Sequence, residues 1–153
     1  MRTSAAGSEA ARRRPARGFT MIELLVVVAI IAIGSAGVVF AIRDSAATQL
    51  EREALRLAAL LEAARAQSRA SGQPVRWQPV DGSFRFEGGA AGSLPQGWLS
   101  AGVQVQGTPV LVLGPEPVIG PQAVVLRSPA APDRPLRVAT DGLRPFRVEG
   151  AGS

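Results

Sequence analysis

The longest apolar run of the chain lies near its N-terminus, at residues 19–42. It contains one charged residue, Glu23, and from Leu24 to Ile42 no charge occurs at all. A helix rises about 1.5 Å per residue, so this uncharged stretch would be about 28 Å long, close to the roughly 30 Å hydrocarbon core of a bilayer. The pattern predicts that residues 19–42 form the transmembrane half of a helix.

Residues 43–72 change from an apolar to an amphipathic pattern without any sign of a break. No proline occurs between Phe19 and Gln73, and strong helix formers dominate. Small and apolar residues recur at alternating spacings of four and three, at Leu50, Ala54, Leu57, Leu61, Ala64 and Ser68. Gly72 is a plausible C-terminal stop. We therefore predict one helix from about Phe19 to Ser71, with residues 43–72 as its amphipathic half.

Two further features of this amphipathic half can be assigned from spacing. Leu55 and Leu60 are expected to widen the apolar stripe. The spacing i, i+3 predicts two ion pairs, Glu53 with Arg56 and Glu62 with Arg65. The solvated side of the helix is expected to carry Arg52, Arg56, Glu62, Arg65 and Arg69.

Residues 73–153 are rich in glycine and proline, with short β-prone runs between these breakers. The predicted strands are Val75–Val80, Ser83–Glu87, Val103–Gln106, Val110–Leu113, Ala123–Arg127, Leu136–Thr140 and Phe146–Val148. The pairs Asp81-Gly82 and Asp141-Gly142 are hairpin signals, and Pro79 and Pro145 favour edge or short strands. Such short connections favour antiparallel pairing. The predicted fold is α+β, with the helix stripe packed on the bulky residues Trp77, Phe84, Phe86, Trp98 and Phe146 of the sheet side.

Composition excludes much of enzyme chemistry. All 17 basic residues are arginine, and cysteine, histidine, lysine and tyrosine are missing from the 153 residues. A Cys/His zinc site, a thiol nucleophile, a Ser-His-Asp triad and a lysine Schiff base are therefore excluded. We predict a non-enzyme with no catalytic, metal or cofactor-binding residues.

The basic character of the chain is concentrated in residues 1–18. This segment holds five arginines against one acid, Glu9, whereas the remaining residues carry twelve arginines against eleven acids. The sequence pI of about 11.5 thus reflects a leader rather than a nucleic-acid-binding body. Because arginines precede the apolar run, the leader is expected in the cytoplasm and the body, residues 73–153, beyond the membrane.

The junction between leader and apolar run, residues 17–26, reads RGFTMIELLV. It resembles the processing site of type IV pilins and pseudopilins. The resemblance implies that a prepilin peptidase removes residues 1–18 by cutting after Gly18, and then methylates the new N-terminal residue, Phe19. A glycine at the cut has a physical rationale, since it lets the backbone enter a tight active site without a side chain.

Glu23 would be the fifth residue of the processed chain. An unpaired acid within an apolar helix costs on the order of several kcal/mol in hydrocarbon. Cleavage would create a positive amine on Phe19, and the resemblance implies that this amine pairs with Glu23 of an adjacent subunit. Glu23 is therefore predicted to serve subunit assembly.

The resemblance extends beyond the junction. Residues 62–75 look like the helix exit of the branch that contains GspH-type pseudopilins and FimT-type minor pilins, and residues 113–117 and 138–142 are closer to the GspH type. This implies a type IV pilin-like fold and a minor pseudopilin of type II secretion, a structural subunit near the tip of the periplasmic pseudopilus through which folded proteins are exported. The implied partners are the prepilin peptidase, other major and minor pseudopilins, the inner-membrane assembly platform and the membrane, with no nucleic acid.

Alternatives remain at this point. A FimT-like minor pilin for pilus assembly or DNA uptake would use the C-terminal arginines, although a solvated sheet face explains them better. Those arginines are Arg127, Arg134, Arg137, Arg144 and Arg147. An ordinary secretory signal would instead be cut near Gly37, and a plain single-pass anchor would keep Glu23 at its interface end.

Overall fold

The computed structural model describes residues 19–89 and 91–150. Within them, one long helix is followed by seven short strands. These are α1 (Met21–Ser71), β1 (Val75–Val80), β2 (Ser83–Glu87), β3 (Gln104–Val105), β4 (Leu111–Leu113), β5 (Gln122–Arg127), β6 (Leu136–Thr140) and β7 (Arg147–Gly150), with a 3₁₀ turn at Ala91–Ser93 between β2 and β3. The predicted α+β class is confirmed, and so is each predicted element, with ends that shift by at most two residues.

Local chemistry accounts for both ends of α1. At the start, the Thr20 hydroxyl accepts a hydrogen bond from the Glu23 N–H at 3.2 Å, and the Thr20 carbonyl accepts one from the Leu24 N–H. This is N-capping, which satisfies donors that the first helical turn leaves free. At the other end, Gly72 has a φ of +67°. That left-handed conformation ends the helix as predicted.

The strands form two antiparallel sheets, ordered β2-β1-β4 and β3-β5-β6-β7. Val80 pairs with Ser83, so Asp81 and Gly82 form a two-residue turn, with φ of 43° and 75°. Positive φ at both positions is what a type I′ hairpin turn needs, and this hairpin prediction is confirmed.

The hairpin signal at Asp141-Gly142 is confirmed as well, since β6 and β7 pair antiparallel and are joined by residues 141–146. This connection contacts α1, where the Gly142 carbonyl accepts a hydrogen bond from Arg65. The expectation of an edge or short strand at Pro79 is wrong, because β1 is the central strand of its sheet. The proline is tolerated there because it lies beyond the part of β1 that pairs with β4, and Pro145 lies in the connection between β6 and β7.

The core forms between α1 and residues of both sheets. All six residues of the predicted stripe are at most 1% exposed, and Trp77 is fully buried beside them. The Phe84 ring is central, with centroids 5.9 Å from Trp77 and 4.5 Å from Trp98. Leu60 packs against this core as predicted, but Leu55 is 57% exposed and does not widen the stripe. It lies two residues, about 200° of helical rotation, from the buried Leu57.

The side chain of Gln122 joins the two sheets, which the sequence did not indicate. Its amide oxygen accepts a hydrogen bond from the Val112 N–H at 2.8 Å, and its amide nitrogen donates to the Val112 carbonyl at 2.9 Å. Gln122 begins β5, whereas Val112 lies on the edge strand β4. The amide thus supplies the hydrogen bonds that a neighbouring strand would give, and it covers part of an exposed edge.

Candidate assembly site

The predicted assembly residues lie at the start of α1. Gly18 and the leader are outside the described residues, so the predicted cleavage bond has no structural description here. Phe19 is 69% exposed and Glu23 is exposed in the first turn of the helix. An acid at this position is favoured by the partial positive charge of the helix N-terminus.

Sequence reasoning missed the role of Thr20. Its hydroxyl caps α1, so the helix starts one residue after the capping residue and two after Phe19. The signal was present, because threonine followed three residues later by glutamate is the spacing of a capping box. The cap fixes the backbone that carries Glu23 in a helical conformation.

The large apolar side chains in the first half of α1 are exposed within the part of the chain that the structure describes. They are between 40% and 81% exposed, from Val27 to Met21. Among the described residues, one helix is long and apolar enough to cross a membrane, and the most apolar 18-residue window, with mean hydropathy 2.8, has no buried residue.

The second half of α1 is fixed to the body by two groups of polar contacts. In the first, the Glu53 side chain is 3% exposed. Its Oε1 accepts hydrogen bonds from the N–H groups of Leu99 and Ser100, at 2.9 and 2.7 Å. Its Oε2 lies 3.2 Å from Arg56, which also donates to the Gly97 carbonyl at 2.9 Å. The predicted Glu53–Arg56 pair is confirmed, and it holds the 97–100 segment.

The second group centres on Arg65, where the prediction of a solvated side is wrong. The Arg65 side chain is 4% exposed, and its Nη2 donates to the carbonyls of Pro117 and Gly142, at 3.1 and 2.8 Å. Glu62 lies 3.7 Å from Arg65 and accepts a hydrogen bond from the Phe146 N–H at 3.0 Å. The predicted Glu62–Arg65 pair is present, but the Arg65 guanidinium is buried against loop carbonyls instead of facing solvent.

These two groups lie on opposite edges of the buried stripe. An α-helix turns by about 100° per residue, which places Glu53 and Arg56 on one side of Leu57 and both Glu62 and Arg65 on the other. One edge therefore holds the segment between β2 and β3, and the other holds the connections that follow β4 and β6. The helix is fixed in rotation as well as in position.

The connection after β6 is itself tightly organised. Asp141 Oδ1 accepts hydrogen bonds from the Leu143 and Arg144 N–H groups, at 2.9 and 2.8 Å, and the Arg144 guanidinium lies 3.6 Å from the other oxygen. The hydrogen bonds from Arg144 and Leu143 hold the pKa of the Asp141 carboxyl below its ordinary value. Gly142 has a φ of +92°, and a Cβ there would clash with the Ile119 carbonyl oxygen.

Three of the five C-terminal arginines have acidic partners. Arg137 pairs with Glu149 at 2.9 Å, Arg144 with Asp141 at 3.6 Å and Arg134 with Asp44 at 3.4 Å. These pairs lower the net positive charge of the surface and agree with a solvated face. Within residues 19–89 and 91–150, no group of three or more acidic residues could hold a metal ion, in a chain without cysteine or histidine.

Two families match separate parts of the chain. Residues 13–39 match the family described as Prokaryotic N-terminal methylation motif, and residues 53–151 match the family described as Type II transport protein GspH. The chain is also 36% identical over 84 residues to Type II secretion system protein H of Escherichia coli (strain K12). That alignment covers 54% of this chain and 48% of the relative, so the chain spans about half of the relative's length. No match was found among solved structures.

Proposed function

This chain belongs to the GspH family of type II transport proteins, and we propose on that premise that it serves as a minor pseudopilin of the type II secretion system. In this proposal it is a structural subunit near the tip of the periplasmic pseudopilus, and the machine to which it belongs exports folded proteins across the outer membrane. Its partners are other major and minor pseudopilins and the inner-membrane assembly platform. The chain contributes contact surfaces rather than catalysis.

Processing by the prepilin peptidase is the first step of the proposal. The peptidase cuts after Gly18 and methylates the amine of Phe19. The match of residues 13–39 to the methylation motif supports this step. The cap at Thr20 adds physical support, because it starts the helix directly behind the new terminus and leaves Phe19 exposed to the enzyme.

Residues 19–42 then anchor the chain in the inner membrane, with the N-terminus cytoplasmic and the body periplasmic. Two observations support this topology. The large apolar side chains of this half are exposed in the isolated chain, as a lipid-facing or subunit-facing surface requires. The arginines of the leader precede the apolar run, and positive charge favours the cytoplasmic side.

The observation that carries the proposal is the single acid of this exposed apolar surface. Glu23 lies in the first turn of α1, where bilayer or neighbouring helices would surround it. An unpaired carboxylate in such apolar surroundings is unfavourable. The methylated amine of Phe19 on an adjacent subunit would neutralise it, and only a subunit in the right register would bring that amine close.

The runner-up, a minor pilin that takes up DNA, receives less support. A DNA-binding surface needs excess positive charge, yet Arg137 and Arg144 on the last two strands and their connection lie beside Glu149 and Asp141. The purified protein is therefore expected to show no salt-dependent DNA binding.

Two measurements test the proposed function. Mass spectrometry of the N-terminal peptide, on chain recovered from membranes, should find N-methylated Phe19. A retained leader or a start near Gly37 would contradict the proposal. In the native host, deletion of the gene should abolish export of exoproteins, and the parent chain should restore it, whereas a Gly18→Val variant that stays uncut should not.

A further inference from the structure

One end of the body packs against the beginning of the amphipathic half of α1. A groove of about 310 Å³ lies there between Ile42 on the helix and Pro129 in the connection from β5 to β6. In the same connection, Arg134 pairs with Asp44 of the helix at 3.4 Å. We call residues 128–134 of this connection the 128–134 loop. It lies beside the first residues of the amphipathic half.

The opposite end of the body lies much farther along α1. Leu143 belongs to the connection between β6 and β7, which Arg65 binds through the Gly142 carbonyl. Arg65 lies about 33 Å from Arg43 along the helix, at 1.5 Å per residue. The body therefore has a near end beside residue 43, which includes the 128–134 loop, and a far end beside residue 65.

In the proposed topology, the near end lies at the surface of the membrane. The stretch from Leu24 to Ile42 carries no charge and is about as long as the hydrocarbon core is thick, and Arg43 is the first charged residue after it. Ile42 then lies at the outer boundary of the hydrocarbon, and Arg43 lies among the lipid headgroups. The 128–134 loop lies beside these residues and therefore at headgroup depth. This step rests on the proposed function.

The groove at the near end has a lining that suits this depth. None of its lining residues is charged, and Ile42 in its wall is 57% exposed. Ala101, Pro129 and Ala130 give the opposite wall a small and largely apolar surface. Such a surface gains free energy when lipid instead of water covers it.

A second pocket, of about 260 Å³, lies between the same loop and α1 and is lined by charged residues. Two of them, Arg134 and Asp44, neutralise each other. The other two, Arg43 and Asp133, form no ion pair or side-chain hydrogen bond with any residue that the structure describes. One pocket thus offers a free cation and a free carboxylate. A headgroup that carries both a phosphate and an ammonium group complements both charges.

From this juxtaposition we propose that the near end of the body binds zwitterionic phospholipid in the periplasmic leaflet of the membrane. The lipid phosphate lies against Arg43 and its ammonium group against Asp133, while acyl chains cover the groove beside Ile42. The charges that line the second pocket sum to zero, so an anionic headgroup gains no advantage there. The contact holds the body on the membrane surface before the subunit enters a filament.

The chain contains no cysteine, so one engineered cysteine can carry a fluorophore without background. Full-length chain with labelled Ala130→Cys, an exposed residue of the groove, is reconstituted in phosphatidylcholine vesicles with and without a nitroxide-labelled headgroup. The nitroxide is expected to remove most of the fluorescence, because residue 130 lies at headgroup depth. The matched control is Leu143→Cys at the far end, which is also exposed, at 74%, and should keep its fluorescence.

Three results would overturn the proposal. The first is little quenching at residue 130, and the second is equal quenching at residues 130 and 143. The third is a blue-shifted emission at residue 130 without quenching, because it would show that a second copy of the chain, instead of lipid, covers the groove.

Two further variants test the headgroup contacts. Arg43→Gln and Asp133→Asn, each combined with Ala130→Cys, remove one free charge of the second pocket. The ratio of docked to undocked body, measured from the quenched and unquenched fluorescence, should fall by about two- to fivefold in each, the range for a partly exposed ion pair. Arg52→Gln is the control, since it removes an exposed arginine about 14 Å farther along α1. An unchanged ratio in either variant, or an equal fall in the control, would overturn the headgroup assignment.

One more labelled position separates this inference from the proposed function. Ile33→Cys places the fluorophore in the predicted transmembrane half, where a nitroxide on the lipid acyl chain should quench it. Quenching at residue 33 without quenching at residue 130 would overturn the lipid contact alone. No quenching at residue 33 would overturn the membrane anchor of the proposed function, whereas quenching at residue 130 in that case would still support lipid binding by the body.

Discussion

Leucine and alanine occur in both halves of α1, yet the two halves differ in what surrounds them. Leu24 and Leu25 are 54% and 64% exposed, whereas Leu57 and Leu61 are at most 1% exposed. The second half is covered by the chain's own sheets and loops, and no described residue covers the first. A leucine can thus lie in either environment, and what accompanies the buried leucines is a set of polar side chains that bind the flanking loops.

We therefore expect the two halves of α1 to affect different properties: the second half the stability of the body, and the first half assembly. Changes in the second half, or in the loops that it binds, should alter the free energy of unfolding of the body. Changes in the first half should leave that free energy unchanged and alter only membrane or subunit contacts. The fluorescence of Trp77 and Trp98 reports the body alone, because both tryptophans lie there.

The largest loss of stability is expected from Gly142→Ala. The new Cβ would clash with the Ile119 carbonyl oxygen, at a residue with positive φ. Strain and forced displacement of the loop should together lower the free energy of unfolding by about 4 kcal/mol or more. Denaturant unfolding of the full chain in detergent, followed by tryptophan fluorescence, measures it. Gly120→Ala is the control, because a Cβ there has open space, and an equal loss in both variants would contradict the explanation.

The next effect compares the two halves directly. Leu61→Ala removes a fully buried side chain and should lower the free energy of unfolding by about 3 kcal/mol, the usual cost of such a cavity. Leu25→Ala makes the same chemical change at a residue that is 64% exposed, and the unfolding of the body should not shift. A similar shift in both variants would show that the apolar half also supports the body.

A somewhat smaller effect is expected at the buried cation. Arg65→Met keeps the apolar stem but leaves the Pro117 and Gly142 carbonyls without their donor. Each buried unsatisfied carbonyl costs about 1–3 kcal/mol, so the free energy of unfolding should fall by about 2 to 3 kcal/mol. Arg52→Met removes the same charge at an exposed residue and is the control, in which the free energy of unfolding should change little. A loss confined to high pH or low salt would indicate a surface ion pair instead.

Arg65 also shows where sequence reasoning stops. The stripe from Leu50 to Ser68 and the turn at Asp81 were predictable, because helical spacing and turn residues are local signals. The pair Glu62–Arg65 was predictable as well, but its burial was not. Its loop partners Pro117 and Gly142 are 52 and 77 residues away along the chain, and an i, i+3 pair has the same spacing whether it is buried or solvated.

The predicted assembly residues also differ from one another in how much of their role the sequence can indicate. The motif at Gly18 and Phe19 is a local sequence signal that the proposed peptidase would recognise, so the sequence alone suffices to predict it. The partner that would neutralise Glu23 belongs to another subunit, and neither local spacing nor the fold of one chain contains it. The capping role of Thr20 could have been predicted from sequence but was missed, since Thr20 and Glu23 have the spacing of a capping box.

A smaller change in the free energy of unfolding of the body is expected at low pH. The pKa of Asp141 is held below its ordinary value by hydrogen bonds to the carboxylate. A depressed pKa stabilises the folded state above the unfolded pKa of an aspartate, and this contribution disappears as the pH falls through the lower, folded value. The stability difference between parent and Asp141→Asn should therefore narrow as the pH falls below about 4, the ordinary range of an aspartate. Denaturant titrations at several pH values measure it, and a difference independent of pH would contradict the assignment.

The smallest effect on the body, and the clearest effect on assembly, is expected from Glu23→Ala. The residue is exposed in the first turn of α1 and contacts no part of the body through its side chain among the described residues. Tryptophan-detected unfolding and cleavage after Gly18 should both match the parent, whereas recovery of the chain with the other pseudopilins after cross-linking should be lost. Glu51→Ala, an exposed acid in the second half of the helix, should assemble normally. If Glu23→Ala assembled as well as Glu51→Ala, the carboxylate would not be the group that an adjacent amine recognises, and the apolar surface alone would have to set the register.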